Sequence, residues 1–299
     1  MITCLGLSPA LDITYGVDAV VPGAIHRPVW KTALPGGKSL NVVRALRTLG
    51  VPVHAIAPLG GATGERVRAA LRADGVPVDA IRTAAETRTC ISVAASDGVM
   101  TEFYESAPPL EPSEWAAVVA ALSTVSEGWL AVSGSVPDAL VGALAEELSA
   151  VSARGIRLAL DLRGAALGAA LAATRPALVK VNRVEAEELV GGGGAGELAG
   201  RLRERGAEIA VVTDGAAGSV GIDAGGAWGV SPVAASHFTV GAGDSFLAGM
   251  LQGLELSTSL PGALGRASAV AAANTLRPGA AVFDVADAAT PATVTSLAG

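Results

Sequence analysis

Cysteine and histidine are scarce in this chain, long apolar runs are missing, and basic residues do not outnumber acidic ones. The two cysteines, Cys4 and Cys90, have no metal-ligand spacing, and a single pair is weak support for a disulfide framework in 299 residues. Buried free thiols are expected. His26, His54 and His237 are scattered among apolar and loop segments, a pattern of solvated or structural histidines, so no metal held by protein alone is expected. No uninterrupted apolar stretch approaches the ~20 residues of a membrane helix, which gives no membrane span. The segment Met1-Ile2-Thr3-Cys4-Leu5-Gly6-Leu7 carries no basic leader and Asp12 follows soon after, so a cytoplasmic location is expected. A net charge of −7 disfavours nucleic acid, whose backbone is met by a basic face. Any phosphate recognised here must be met locally.

What the chain does have is 51% hydrophobic residues, enough for one substantial domain with a modest appendage. Short apolar runs alternate with longer amphipathic stretches, as in a parallel sheet covered by helices. The runs Ile2–Leu7, Val53–Ala57, Trp129–Ser133, Arg157–Asp161, Ala177–Val181 and Ile209–Thr213 are predicted strands. Leu40, Val43, Leu46 and Leu49 recur at helical spacing, as do Leu140, Leu144 and Leu148, with Gly50 and Gly155 at helix stops. Strand, helix and strand succeed one another at least five times, predicting a doubly wound, mostly parallel α/β sheet over residues 1–299. Two segments break the alternation. Ile13–Leu34 is strand-like without a helix, and Thr89–Tyr104 reads as a hairpin turning at Asp97-Gly98, so 13–34 and 89–104 are assigned to a small β lid. Gly191–Gly194 follows an acidic helical segment and is read as a connector rather than a dinucleotide-binding turn. No internal repeat is evident.

The segment most informative about chemistry is Thr239-Val240-Gly241-Ala242-Gly243-Asp244-Ser245-Phe246, followed by the helix-like Leu247–Leu251. Glycines opening a helix let backbone N–H groups converge on an anion, and the helix dipole adds its positive end there. A carboxylate at such a turn fits a base that accepts a proton from a hydroxyl attacking a γ-phosphate, which assigns catalysis to Asp244 with Gly241, Ala242 and Gly243. An ordinary glycine-rich turn capped by Asp244 is the alternative.

Gly-Ala-Gly-Asp resembles the C-terminal signature of the ribokinase, or PfkB, carbohydrate kinase family, and other segments match it in order. Gly36-Gly37-Lys38 followed by Asn41 resembles the N-terminal signature, Ser133-Gly134-Ser135-Val136-Pro137 the central element, and Lys180-Val181-Asn182-Arg183-Val184-Glu185 the segment bearing Asn-x-x-Glu. The resemblance spans nearly the whole chain and implies a ribokinase-like fold and an ATP-dependent, Mg²⁺-requiring sugar kinase. It places Lys180, Asn182, Glu185, Thr213, Gly215, Gly218 and Asn274 at the nucleotide and Gly36, Gly37, Lys38, Asn41 and Ser133 at the sugar. Asn182 and Glu185 beyond an apolar strand suit ordering of Mg²⁺ through its waters, with Glu185 as the metal-side group; a helix cap with a solvated acid is the alternative. Thr213-Asp214-Gly215-Ala216-Ala217-Gly218 also follows a strand and has small residues that permit close approach of a nucleotide, but alone it reads equally as a turn. Gly37-Lys38-Ser39 is not a P-loop, because Thr32 stands where that motif needs glycine. Lys38 instead suits a point charge for a substrate phosphate, or a solvated lysine at a helix start.

The match is closest to the branch of tagatose-6-phosphate kinase and 1-phosphofructokinase, whose substrates already carry a phosphate. Pro9-Ala10-Leu11-Asp12 resembles that branch's Pro-x-x-Asp and places Asp12 at sugar hydroxyls. Arg27 and Thr87-Arg88 resemble branch positions, with Arg88 as a bidentate phosphate fork or a surface arginine. Departures are Ser8 for asparagine, Ser39 for glycine, Leu162-Arg163 for two small residues, and Asp214 within the usual Ser-Leu-Gly. The expected reaction is transfer from MgATP to a hydroxyl of a phosphorylated ketohexose, with a 6-phosphate preferred over fructose 1-phosphate. A kinase of an unphosphorylated sugar or nucleoside, and a silent sugar or nucleotide sensor, are the rivals. Lids in this family often pair between subunits, so the resemblance implies a homodimer through the lid.

Overall fold

The computed structural model describes residues 1–231, 236, 238–256 and 259–297. Among these residues ten strands form the main sheet. From one edge they run Val78–Thr83, Val53–Gly60, Ile2–Leu5, Trp129–Ser133, Arg157–Asp161, Leu178–Asn182 and Ile209–Thr213, all parallel. Ser219–Asp223, Gly226–Val230 and Val294–Leu297 then add antiparallel pairings at the other edge. Because both faces are covered, the central strands read as unbroken apolar runs rather than alternating ones.

Alternate residues of one strand feed two cores. Trp129 and Ala131 pack with Leu40, Leu46, Leu247 and Met250 on one face, while Leu130 and Val132 pack with Val118, Leu144, Leu148 and Leu198 on the other. Each large side chain so buried contributes about 1.5–3 kcal/mol. Strand order reverses at Ile2–Leu5, with Val53–Gly60 on one side and Trp129–Ser133 on the other. In such sheets the crevice beyond the carboxyl ends of the strands, at the reversal, is where ligands bind. The pairings Ser133↔Asp161 and Asn182↔Thr213 set these polar residues along that one edge.

The predicted lid is a separate four-stranded sheet in the order Trp30–Gly36, Ala10–Val17, Arg88–Ala95, Met100–Tyr104. It begins a little before Ile13 and runs to Gly36. Trp129–Ser133, Arg157–Asp161 and Ile209–Thr213 have the predicted bounds, whereas the first strand stops at Leu5 because Gly6–Ser8 leaves the sheet towards the lid. The strand predicted as Ala177–Val181 runs Leu178–Asn182, and the Gly191–Gly194 connector joins helices Arg183–Val190 and Ala195–Glu204. Cys4 and Cys90 are buried free thiols. His26 contacts the Val21 backbone, His54 pairs with Asp79, and His237 lies outside the described residues. Among the described residues no helix is long and apolar enough to cross a membrane.

Candidate active site

The chemistry gathers around the first turn of helix Ala242–Glu255. Its cap, Gly241, sits at φ 80°, a left-handed conformation that favours glycine, and a Cβ there would lie 2.6 Å from the Ala281 backbone nitrogen. Ala242 N–H and Ser245 N–H donate to Thr239 and Gly241 carbonyls, but those of Gly243 and Asp244 have no backbone acceptor among the described residues. They form the donor end of the helix, where the dipole favours an anion. Asp244 sits in the same turn at 6% exposure, and its Oδ2 accepts from Asn41 Nδ2 at 2.8 Å. Burial and the neighbouring charge of Asp161 push the Asp244 carboxyl up to about 7, against the pull of Lys38, Lys180 and the Asn41 amide. A carboxylate held there can take a proton near neutral pH.

Asn274, expected at the nucleotide, is instead fully buried and occupied by protein. Its Oδ1 accepts from Ala281 N–H at 2.6 Å and Ser245 Oγ at 3.3 Å, and its Nδ2 donates to the Phe238 and Val240 carbonyls at 3.2 and 3.0 Å. Its amide is committed to protein on both sides, and it braces the turn that opens the helix. It also pins Ala281, which has φ 56°, a costly left-handed conformation for a residue with a Cβ.

Beside this turn lies a charged cluster. Asp161 is fully buried and bridges two ammonium groups, Lys38 Nζ at 2.8 Å and Lys180 Nζ at 2.9 Å. Burial opposes its ionisation, yet the charges of Lys180 and Lys38 outweigh it and hold the carboxyl below its usual range. Lys38 also donates to Glu185 Oε1 at 2.9 Å. Two of its three N–H groups are thus committed on the side of Asp161 and Glu185, which revises the expectation that it faces the substrate's own phosphate. Lys180 reaches towards the turn, since a Cβ on Gly243 would lie 3.0 Å from its Nζ. Asn182 and Glu185 form a reciprocal helix cap, with Glu185 N–H to Asn182 Oδ1 at 2.8 Å and Asn182 N–H to Glu185 Oε2 at 3.0 Å. No group of three acidic, histidine or cysteine side chains suited to a metal occurs among the described residues. Glu185 therefore fits Mg²⁺ only together with waters and a nucleotide's phosphates.

On the lid side, the pairings of Asp12 with Cys90 and of Cys90 with Tyr104 set these three residues in one row across the sheet. Burial raises the Asp12 carboxyl, tempered by Arg44, the Gly37 N–H, Arg88 and Cys90. Gly36 is required at its position, because a Cβ would fall 2.0 Å from Asp12 Cγ. Arg88 spans lid and body, donating to the Glu105 carbonyl at 2.9 Å and the Ser8 carbonyl at 3.1 Å, while its buried Nε finds no partner among the described residues. The hydroxyls of Ser8, Ser39 and Ser133 are likewise buried without a partner there. Arg27 is exposed in the loop between lid strands, and the structure does not bring it to the other site residues.

A cavity of about 530 Å³ opens on the other side of that helix turn. Thr213, Gly215 and Gly218 line it together with Ala242 and Gly243, and Phe246, Ser268 and Ala271 complete an apolar wall. That volume and lining suit a nucleoside. Asp214 turns outward to Arg183 at 3.3 Å. Sequence reasoning missed Asp161, Arg44 and the wall residues. The available signal for Arg44 was its place one helical turn after Asn41, on the same face of the helix.

The sequence profile of pfkB family carbohydrate kinases matches residues 8–286. The chain is 32% identical over 289 residues to the ATP-dependent 6-phosphofructokinase isozyme 2 of Escherichia coli, covering 92% of each chain. It is 30% identical over 271 residues to the 1-phosphofructokinase of Bacillus subtilis, covering 87% of each. The crystal structure of phosphofructokinase-2 from Escherichia coli in complex with substrates and products superposes with a TM-score of 0.91 at 31% identity, over 96% of this chain and 97% of that one.

Proposed function

The chain belongs to the pfkB family of ATP-dependent carbohydrate kinases, and we propose that it transfers the γ-phosphoryl group of ATP to a hydroxyl of a fructose phosphate, giving a bisphosphate. The observation that carries this reading is the buried Asp244, poised near neutral pH in a helix turn whose Gly243 and Asp244 N–H groups have no backbone acceptor among the described residues and whose other side walls the nucleoside-sized cavity. In this reading adenosine lies along Thr213, Gly215 and Gly218, and the γ-phosphate meets the Gly243 and Asp244 N–H groups. The acceptor hydroxyl approaches from the lid side, held by Asp12 and Asn41, and Asp244 takes its proton as the oxygen attacks phosphorus. Lys38 and Lys180, both anchored by Asp161, bring positive charge to the path of the transferring group. Mg²⁺ supplies further neutralisation of phosphate charge when bound with the nucleotide; Asn182 and Glu185 are the residues that would hold its waters. Closure of the lid keeps water from consuming ATP.

Arg88, with its free Nε, is assigned to the phosphate already on the sugar. A 6-phosphate, of fructose or tagatose, is the proposed acceptor, since Cys90 and Tyr104 offer a weak thiol and one long-reaching phenol beside Asp12. A homodimer through the lid belongs to the same reading, supported by the 61% and 53% exposure of Phe103 and Tyr104. One observation favours an unphosphorylated acceptor instead: the terminal nitrogens of Arg88 already serve carbonyls. A coupled ADP-release assay with fructose 6-phosphate, fructose 1-phosphate, tagatose 6-phosphate and the parent sugars, with products identified by phosphorus NMR, tests the proposal. Turnover confined to unphosphorylated sugars would replace it with the rival, and no ATP turnover with any acceptor would favour a silent sensor.

A further inference from the structure

Arg44 lies in the helix Lys38–Thr48, and no step described so far uses it. Its guanidinium reaches three separate pieces of the molecule. Nη1 donates to Asn41 Oδ1 at 3.1 Å and to the Ala280 carbonyl at 2.6 Å, and Nη2 donates to the Pro35 carbonyl. Pro35 is the residue before the end of the lid strand Trp30–Gly36, while Ala280 belongs to the loop packed against Gly241. The bond to Asn41 fixes which way that amide points. With Oδ1 turned to a guanidinium that can only donate, Nδ2 must face Asp244, where it sits 2.8 Å from Oδ2.

We propose that Arg44 is a positioning residue of the phosphoryl transfer: it holds the Asn41 amide in the orientation that grips Asp244, and it ties the end of the lid strand and the loop behind the anion-binding turn into one unit. The inference rests on the kinase reading above. An ammonium cannot replace the planar fork that makes these contacts together, because it is a point charge on a flexible stem. The positive charge is also felt by Asp12, Asp74 and Asp244, of which Asp12 and Asp244 flank the acceptor hydroxyl in the kinase reading. The other groups facing Asp244 are Asp161, Lys38, Lys180 and the Asn41 amide; those facing Asp12 are Arg88, the Gly37 N–H and Cys90.

The test compares wild type, Arg44→Met, Arg44→Lys, Asn41→Ala and the Asn41→Ala/Arg44→Lys double variant. It measures kcat and both KM values across about pH 5.5 to 9, with hydrogen exchange of the 33–41 and 279–283 amides. Arg44→Met should lower kcat roughly 10- to 100-fold, raise the KM for the sugar, leave the KM for ATP unchanged, and move the acid limb of the profile to higher pH. Arg44→Lys should return the acid limb but not kcat, and its cost in the Asn41→Ala background should be clearly smaller than in wild type, leaving only the part due to the Pro35 and Ala280 contacts. Exchange should rise in both segments together in Arg44→Lys, a readout that holds even if the acceptor has been misassigned. If Arg44→Met does not fold, the lysine cycle and the exchange decide. Wild-type kcat in folded Arg44→Lys, losses that add to those of Asn41→Ala, or unchanged exchange in the two segments overturns the assignment. Absence of kinase activity in the wild type, with exchange behaving as expected, counts against the kinase reading alone.

Discussion

Replacing Asp244 by asparagine should make the folded protein more stable above neutral pH. The carboxyl rises from its ordinary 3.8 to about 7 on folding, so the folded state holds a proton that the unfolded chain has released. Between those values the native form binds more protons than the unfolded one, and stability falls as pH rises through that window, levelling off above it. At ~1.4 kcal/mol per pH unit the full effect is about 4 kcal/mol, a ceiling that water entry and side-chain relaxation reduce. Asparagine carries no charge to desolvate, and its amide oxygen can still accept from Asn41. Urea denaturation of both proteins at about pH 5 and about pH 8.5 isolates the term, because other titrating groups cancel in the difference. The gain of the variant over wild type should be larger at the higher pH than at the lower by roughly 2–3 kcal/mol, because part of the loss is already present at about pH 5. An equal difference at both, or a variant less stable at the higher pH, would refute the buried, strained carboxylate on which the mechanism depends.

Asn274→Ala should cost about 2–4 kcal/mol in urea denaturation, since it strands the buried Ala281 N–H and two part-buried carbonyls, and should lower kcat as the turn loosens. A variant with lowered nucleotide affinity but unchanged stability would return Asn274 to direct nucleotide contact. Arg88→Ala should raise the KM for the sugar phosphate roughly tenfold or more and leave the KM for ATP unchanged in steady-state kinetics; a change confined to ATP would contradict its placement. Among sugar phosphates, kcat/KM should favour a ketohexose 6-phosphate over fructose 1-phosphate by roughly tenfold, the scale set by one mispaired hydroxyl. A clear advantage for fructose 1-phosphate reverses the lid argument.

Much of the architecture was legible because parallel strands buried on both faces leave plain apolar runs, as at Trp129–Ser133 and Ile209–Thr213. The edge strands Ser219–Asp223 and Gly226–Val230 were not, since their glycines and small residues dilute both composition and alternation. At the site, the helix-opening turn Gly241–Asp244 could be read from its glycines, whereas a base and an ordinary first-turn acid look the same in sequence. Asn274 could not, because a buried amide bonded to backbone and a ligand-contacting amide look the same in sequence. Lys38 could be recognised as a charge near a helix start, but its partners Asp161 and Glu185 lie far along the chain and meet it only through sheet register. Asp161 was visible merely as the polar end of a strand; its two lysine partners arise from folding.

Whether Asp244 is the base of a phosphoryl transfer to a sugar phosphate is decided by the kcat of Asp244→Asn with ATP and the best sugar phosphate at about pH 8. With Asp244 as the base, kcat falls roughly 10²-fold or more while both KM values are nearly kept, the scale of a lost general base. Near-native turnover by that variant would contradict it.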